Sequence, residues 1–331
     1  MKRLTIAVLL MVVCALALTA CAGNDNAEVF GEDPGNSPGI PAANAPVSPA
    51  GNTPETPKSP APDNVPSFDT TKNISVLARE DGSGTKTAFM EIIGLKGKPD
   101  PANVIIQTGT AGILTEVKGN PAAIAYESLG YVNDPGVKPL KIDGVEATVA
   151  NIQNGTYKIS RPLSVVYQEA TLDDAVNRAF LTFLQTADAQ EIITAEGYVS
   201  LAGATSPYII NGSLAGSIDI SGSTSLQPLM TELAAAFENL QPKINVTVSG
   251  GGSGTGYKNA DEGVSEFGMI SEEFNLEKAP SCTDYVVCKD GIAVIVHKNN
   301  PLDSITMEQL KLIYDAEAGA DAITKWSSLI K

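Results

Sequence analysis

Three short runs of serine, threonine and glycine hold most of the chemistry that this chain offers. They are Arg79-Glu80-Asp81-Gly82-Ser83-Gly84-Thr85, Ser221-Gly222-Ser223-Thr224-Ser225 and Gly250-Gly251-Gly252-Ser253-Gly254-Thr255-Gly256. Each follows an apolar, strand-like run and opens a helical pattern. A helix N-terminus presents unpaired N–H groups and a partial positive charge. Glycines let the backbone approach a ligand closely and hydroxyls add donors, so such a loop can cradle an anion. One loop alone is an ordinary capped helix start. Three in one chain, one of them carrying an arginine, point to oxyanion binding. Arg79 supplies a planar fork suited to a tetrahedral oxyanion. Asp81, two residues on, is placed to hold that fork, with a turn-forming Asp before Gly as the alternative reading. None of the loops ends in Gly-Lys-Ser/Thr, which argues against nucleotide hydrolysis.

The composition narrows the chemistry further. The chain has 331 residues, a net charge of −16, one His and four Cys. An acidic balance argues against nucleic-acid binding, which leaves a basic footprint. A single His and scattered Cys exclude the usual zinc clusters, and a Ser–His–Asp hydrolase would have to be built on His297 alone. His297 ends an apolar strand before a turn and reads as a strand-end residue. No catalytic residue, metal or cofactor is expected.

The loops need elements to position them, and not all of the chain supplies these. Residues 1–20 read as a leader: Lys2 and Arg3, then an apolar run from Ile6 to Leu18 that is too short for an ordinary transmembrane helix. It ends in Leu18-Thr19-Ala20-Cys21, which resembles a bacterial lipobox with Cys21 as the lipid-bearing mature N-terminus. Incidental placement of Cys21 beside a secretory cleavage site is the alternative. Two acyl chains give stable anchoring where one is marginal. From residue 21 to 73 Pro, Asn, Gly and Ser replace any apolar periodicity, so this stretch cannot bury a core and reads as a disordered tether. At roughly 3.1 Å per residue it would reach on the order of 100 Å from the membrane.

From Ile74 onward strands and helices alternate. Strands are expected at 74–78, 104–107, 122–126, 218–220, 244–248, 267–270 and 291–296. Helices are expected at 85–95, over 113–117, at 171–186, over Leu226–Leu240 and at 307–314. Alternation of this kind implies an α/β fold with largely parallel sheets.

Taken together, the motifs have a precedent. Ile218–Ile270, with Ser-Gly-Ser-Thr-Ser, Ser-Gly-Gly-Gly-Ser-Gly-Thr-Gly and Phe-Gly-Met-Ile, resembles the beginning of the phosphate-binding proteins of ABC transporters. Asp290–Val296 and Thr306–Trp326 resemble the segments that come after it in that family. Arg79–Thr85, Ala122–Val132, Asn154–Leu163 and Ala195–Leu201 resemble the family's second half. The order is reversed, so the chain reads as a circular permutation, joined through Ala202–Gly216; a truncated tandem array pairing with other chains is the alternative. Permutation is mild when termini are close and the break is at the surface.

The resemblance implies a two-lobed, type II periplasmic-binding-protein-like fold with the ligand in a cleft between lobes. Lobe A would be 162–292 and lobe B 74–161 plus 293–331. The implied ligand shell is Thr224, Ser225 and Ser253 from lobe A with Arg79, Asp81, Ser83, Gly84 and Thr85 from lobe B. Some family members place an Asp after the strand equivalent to Phe267–Ile270, to accept the phosphate proton and repel sulfate. Here Ser271 stands at that place, leaving Asp81 or Glu272 as candidate acceptors, with Glu272 as a surface charge the alternative.

The implied protein is a monomeric solute-binding lipoprotein, outside the cytoplasm and anchored to the cell membrane, handing inorganic phosphate to an ABC permease without chemistry. The alternatives are a binder of another oxyanion such as sulfate, a phosphate sensor without a transporter, a surface interaction protein, or a phosphate-ester hydrolase, which lacks the carboxylate or His cluster a metal would need. Cys282 and Cys288, in an exported domain, read as a structural disulfide, with two buried thiols as the alternative.

Overall fold

The computed structural model describes residues 68–330; the leader, Cys21 and nearly all of the tether lie outside the described residues. In chain order the strands are β1 (Ser75–Arg79), β2 (Ile105–Gln107), β3 (Ala123–Ser128), β4 (Val137–Pro139), β5 (Lys141–Ile142), β6 (Ser160–Gln168), β7 (Gly216–Gly222), β8 (Ile244–Gly250), β9 (Phe267–Ile270), β10 (Cys282–His297) and β11 (Ser304–Ile305). The helices are α1 (Gly84–Ile92), α2 (Gly109–Gly119), α3 (Val149–Gln153), α4 (Ala175–Leu184), α5 (Ala187–Ala195), α6 (Gln227–Leu240), α7 (Ser253–Asp261) and α8 (Met307–Tyr314).

Helix starts follow side-chain capping. Asp174 accepts from the amides of Val176 and Asn177, so α4 begins there rather than at 171. Residues 169–173, expected as its first turn, form a 3₁₀ segment instead. Thr306 and Gln309 make a reciprocal capping box at α8.

The main sheet runs β2-β1-β3-β10-β6-β9-β7-β8, with β4 also on β10; β5 and β11 pair separately. The expectation of largely parallel sheets needs correction. β1 is parallel to β2 and β3, and β7 to β8 and β9. Between these groups lie the antiparallel ladders β3–β10, β10–β6 and β6–β9. The apolar run 291–296 is only the second half of the 16-residue β10. Its first half carries Thr283, Asp284 and Lys289, and these polar positions hid it from a search for apolar runs.

Two large cores result. One gathers β1, β3, α1, α8 and Trp326 around Ile292, Val294 and Val296 of β10. The other gathers α4, α5, α6, β7 and β9 around Leu163 and Val165 of β6 and Val287 and Cys288 of β10. β10 therefore serves both, and β6 begins directly after Ile159 of the first core. Trp326 is fully buried in the first core, and its Nε1 donates to the Ala122 carbonyl at 3.1 Å.

The expected disulfide is absent: Cys282 and Cys288 are both free and buried. They stand six positions apart along extended strand, on the order of 20 Å, whereas a disulfide needs Cα atoms within roughly 7 Å. Cys288 belongs to the second core, and Cys282 to a small separate cluster with Tyr257 and Ile270.

Candidate functional site

The three loops leave the C-terminal ends of β1, β7 and β8 and enter α1, α6 and α7, where open α/β sheets place their ligands. Their local geometry comes from glycine and serine. Ser83 caps α1, its hydroxyl accepting from the Lys86 amide at 3.3 Å. Ser223 accepts from the amides of Ser225 and Leu226, both at 3.2 Å, which leaves the Thr224 and Ser225 hydroxyls for other partners. Gly252, at φ +84°, leads into α7 with no side-chain cap. Gly222 is at φ +134°, and a Cβ there would lie 2.3 Å from the Met269 carbonyl.

The loops meet directly. Gly254 N donates to the Gly82 carbonyl at 2.9 Å, and the hydroxyls of Thr85 and Ser225 share a hydrogen bond of 2.9 Å. Ser253 Oγ accepts from the Ser271 amide at 3.0 Å and lies 3.2 Å from Ser271 Oγ. Gly84 is pressed against both: a Cβ there would sit 2.3 Å from Ser253 Oγ and 2.8 Å from Ser271 Oγ. Tyr131 OH donates to the Thr224 carbonyl at 2.9 Å. Arg79, Ser83, Gly84, Thr85, Thr224, Ser225, Ser253 and Ser271 thus converge, and all but the half-buried Thr224 are buried.

Arg79 ends β1 and is 1% exposed. Nε and Nη2 donate to the two oxygens of Glu80 at 3.0 and 3.1 Å. Nη1 donates to Glu127 Oε1 at 2.9 Å and to Thr110 Oγ1 at 3.3 Å, and Nη2 also reaches Thr224 Oγ1 at 3.0 Å. Every N–H of the guanidinium is committed. Burial opposes its charge, but Glu127 and Glu80 outweigh that and raise its pKa above the ordinary arginine value. Burial raises the Glu127 pKa, against the pull of Arg79 and Arg161. For Glu80, burial is overcome by Arg79 and the pKa falls.

Asp81 does not hold Arg79. Its side chain is fully exposed and pairs with Lys86 at 3.0 Å, because the turn at Gly82 directs it outward. Glu80 and Glu127 do that work, and sequence reasoning missed both. The signal for Glu127 was an ionisable residue ending an otherwise apolar buried strand; for Glu80 it was adjacency to the arginine. Glu272 is also engaged elsewhere, both its oxygens accepting from Lys278 Nζ at 2.8 and 2.9 Å. Among the described residues no group of His, Cys, Asp and Glu has the arrangement of a metal site. The cluster can bind an oxyanion through hydroxyls, helix-start amides and one guanidinium.

Comparison with known proteins gives concordant results. A family model described as a PBP superfamily domain matches residues 64–188 and 210–331. A phosphate-binding protein PstS 2 of Streptococcus agalactiae is 34% identical over 277 residues, 81% of this chain and 92% of that one. The Streptococcus pneumoniae PstS 2 is 31% identical over 263 residues, covering 77% and 87%. A crystal structure of a phosphate ABC transporter phosphate-binding protein from Streptococcus pneumoniae TIGR4 superposes with TM-score 0.61 at 31% identity, covering 78% of this chain and all of that one.

Proposed function

Since the chain belongs to the PBP superfamily and to its phosphate-binding proteins, we propose that it captures inorganic phosphate between its two halves and delivers it to an ABC permease. The observation that carries this reading is the meeting of three helix-start loops, one of which carries the buried Arg79 and a second of which touches its guanidinium through Thr224. Hydroxyls and amides at helix starts hold a dianion without a counter-cation. Arg79 adds one fork, oriented by Glu80 and Glu127.

The binding residues in this reading are Arg79, Ser83, Gly84, Thr85, Thr224, Ser225, Ser253 and Ser271. Asp81 is left out because it faces solvent. The lobes are 74–161 plus 293–331, and 162–292, and ligand bridges them. The two halves stand in reversed order relative to family members that begin with the Ser-Gly-Ser-Thr loop. Support for that order is the sequence of the motifs along the chain. The protein acts outside the cytoplasm, tethered through lipid on Cys21, as a monomer and without catalysis.

Calorimetric titration with phosphate, sulfate and a phosphate monoester tests the reading. Phosphate should bind at micromolar concentration or below, and Arg79→Ala should abolish the heat. No heat with any oxyanion refutes it, and turnover of the ester would assign the site to a hydrolase.

A further inference from the structure

β6 and β10 lie side by side between the two cores. In their ladder Asp290 is directly opposite Arg161, and Gly291 opposite Ser160 is its last rung. From Ile292 onward β10 pairs with β3 instead, starting opposite Ser128. Arg161 and Asp290 therefore stand where β10 changes partner, with side chains 1% and 0% exposed.

Both side chains reach outward from this crossing. Arg161 Nε and Nη2 donate to Asp290 Oδ2 at 3.3 and 3.1 Å, and Nη1 donates to the Ser271 carbonyl at 2.9 Å. Asp290 Oδ1 accepts from the Leu129 amide at 3.2 Å. Ser271 places its hydroxyl against Gly84 and Ser253. Leu129 follows Ser128 and Glu127, the carboxylate that grips Arg79. One ion pair thus touches the backbone beside the oxyanion cradle on both of its sides.

We propose that Arg161 and Asp290 are positioning residues for anion capture: they form the pivot that couples the Ser271 side of the cradle to the Glu127–Arg79 side, so that closure and arginine orientation occur together. The proposal rests on the phosphate-binding reading. A buried ion pair is a poor way to gain stability, since apolar residues of similar volume are often as good. Such residues would hold the strands together but could not grip a carbonyl on one side and an amide on the other.

The test is the double variant Arg161→Met/Asp290→Leu, measured by phosphate calorimetry, by melting without ligand and by X-ray scattering with and without phosphate. The expected result is a ligand-free melting temperature close to wild type, a Kd raised at least tenfold and a smaller compaction on adding phosphate. A merely structural pair would lower the melting temperature and leave Kd and compaction unchanged in the folded protein, and that outcome overturns the proposal. Asp290→Asn carries the test if the double variant does not fold. Its amide oxygen keeps the Leu129 contact while its NH2 group, a donor, replaces the Oδ2 that accepts from Arg161, and Kd should rise at least fivefold; an unchanged Kd overturns the proposal. A wild type that binds phosphate while both variants match it removes this inference alone. A wild type that binds no phosphate removes the binding reading and the inference with it.

Discussion

Gly84→Ala adds one methyl group at the point where the two sides of the cradle touch. The new Cβ would lie 2.3 Å from Ser253 Oγ, 2.8 Å from Ser271 Oγ and 3.0 Å from Ser253 Cβ. Ordinary contact begins near 3.4 Å, so the facing surface must retreat by about 1 Å. Ser253 cannot simply rotate away: its hydroxyl is held by the Ser271 amide, and its own Cβ is too close. The retreat therefore has to be a separation of the two sides. Overpacking of this kind costs about 1–3 kcal/mol, which corresponds to about a 5- to 150-fold rise in Kd. Lost cross-cleft bonds at Gly82–Gly254 and Thr85–Ser225 add to that figure. In an open molecule the methyl is harmless, because Ala is preferred over Gly in a helix by up to about 1 kcal/mol. The two assays should then diverge. Melting without ligand stays unchanged or rises by a few degrees, while calorimetry shows weaker phosphate binding. Ser253→Gly in the same chain removes two of the three close atoms, leaving Ser271 Oγ at 2.8 Å, and should recover part of the loss. Binding by Gly84→Ala within twofold of wild type would refute the closure geometry.

The other expectations separate true partners of Arg79 from bystanders. Asp81→Asn should leave phosphate affinity within twofold, since it removes only a surface pair with Lys86, whereas Glu80→Gln should weaken it at least tenfold by loosening the guanidinium; equal effects in calorimetry would contradict the assignment. Because burial raises the Glu127 pKa in the folded state, the fold binds that proton more tightly than the unfolded chain does. Its contribution is fully present below the ordinary glutamate range and is lost as pH rises through the folded value. Glu127→Gln should remove that slope, so melting curves of variant and wild type shift in the variant's favour as pH rises, and a constant difference would count against it. For the cysteines, reducing agent should leave the melting temperature unchanged, and the denatured protein should yield both Cys282 and Cys288 as free thiols by mass spectrometry after alkylation. In the native state Cys282 should alkylate slowly, its thiol pKa being pushed up to about 11 by burial.

Sequence reasoning reached the loops more easily than the strands that organise them. The Ser/Gly runs are visible because cradle chemistry is local: residue types, a strand before and a helix after. Phe267–Ile270 and Met307–Tyr314 match their expected bounds for the same reason, an unbroken apolar or helical pattern between clear stops. β6 and the first half of β10 were harder to see. Arg161, Ser164, Asp284 and Asp290 interrupt their hydrophobicity, and each polar residue makes sense only beside a partner distant in sequence. Arg161 and Asp290 are 129 residues apart, and Arg79 and Glu127 are 48 apart. Asp81 failed for the converse reason: its spacing from Arg79 suggested a contact that the left-handed turn at Gly82 reverses. The disulfide failed because spacing in sequence says nothing about extension, and six residues mean opposite things in a turn and in a strand.

The acidic balance that argued against nucleic acid also bears on how an anion is held. The chain carries −16 overall, and the centre of the cradle is not positive either. Arg79 is flanked by Glu80 and Glu127, and Arg161 by Asp290. Net charge therefore cannot be what attracts the ligand at contact. On the proposed reading what remains is direction: N–H groups at helix starts, hydroxyls of Thr85, Thr224, Ser225 and Ser253, and a guanidinium pinned on its other edges. These dipoles act over a few ångströms and cost little to reorganise, since the loops that carry them are already packed against one another. Surface charge acts at longer range and is screened beyond about 8 Å in physiological salt. The carboxylates around Arg79 therefore do not cancel the site. They fix the fork so that the bonds it exchanges on closure, first among them the one to Thr224, are those a bound oxyanion can replace. On the proposed reading, anion binding then rests on geometry fixed by Glu80 and Glu127, and that is compatible with an acidic protein collecting an anion.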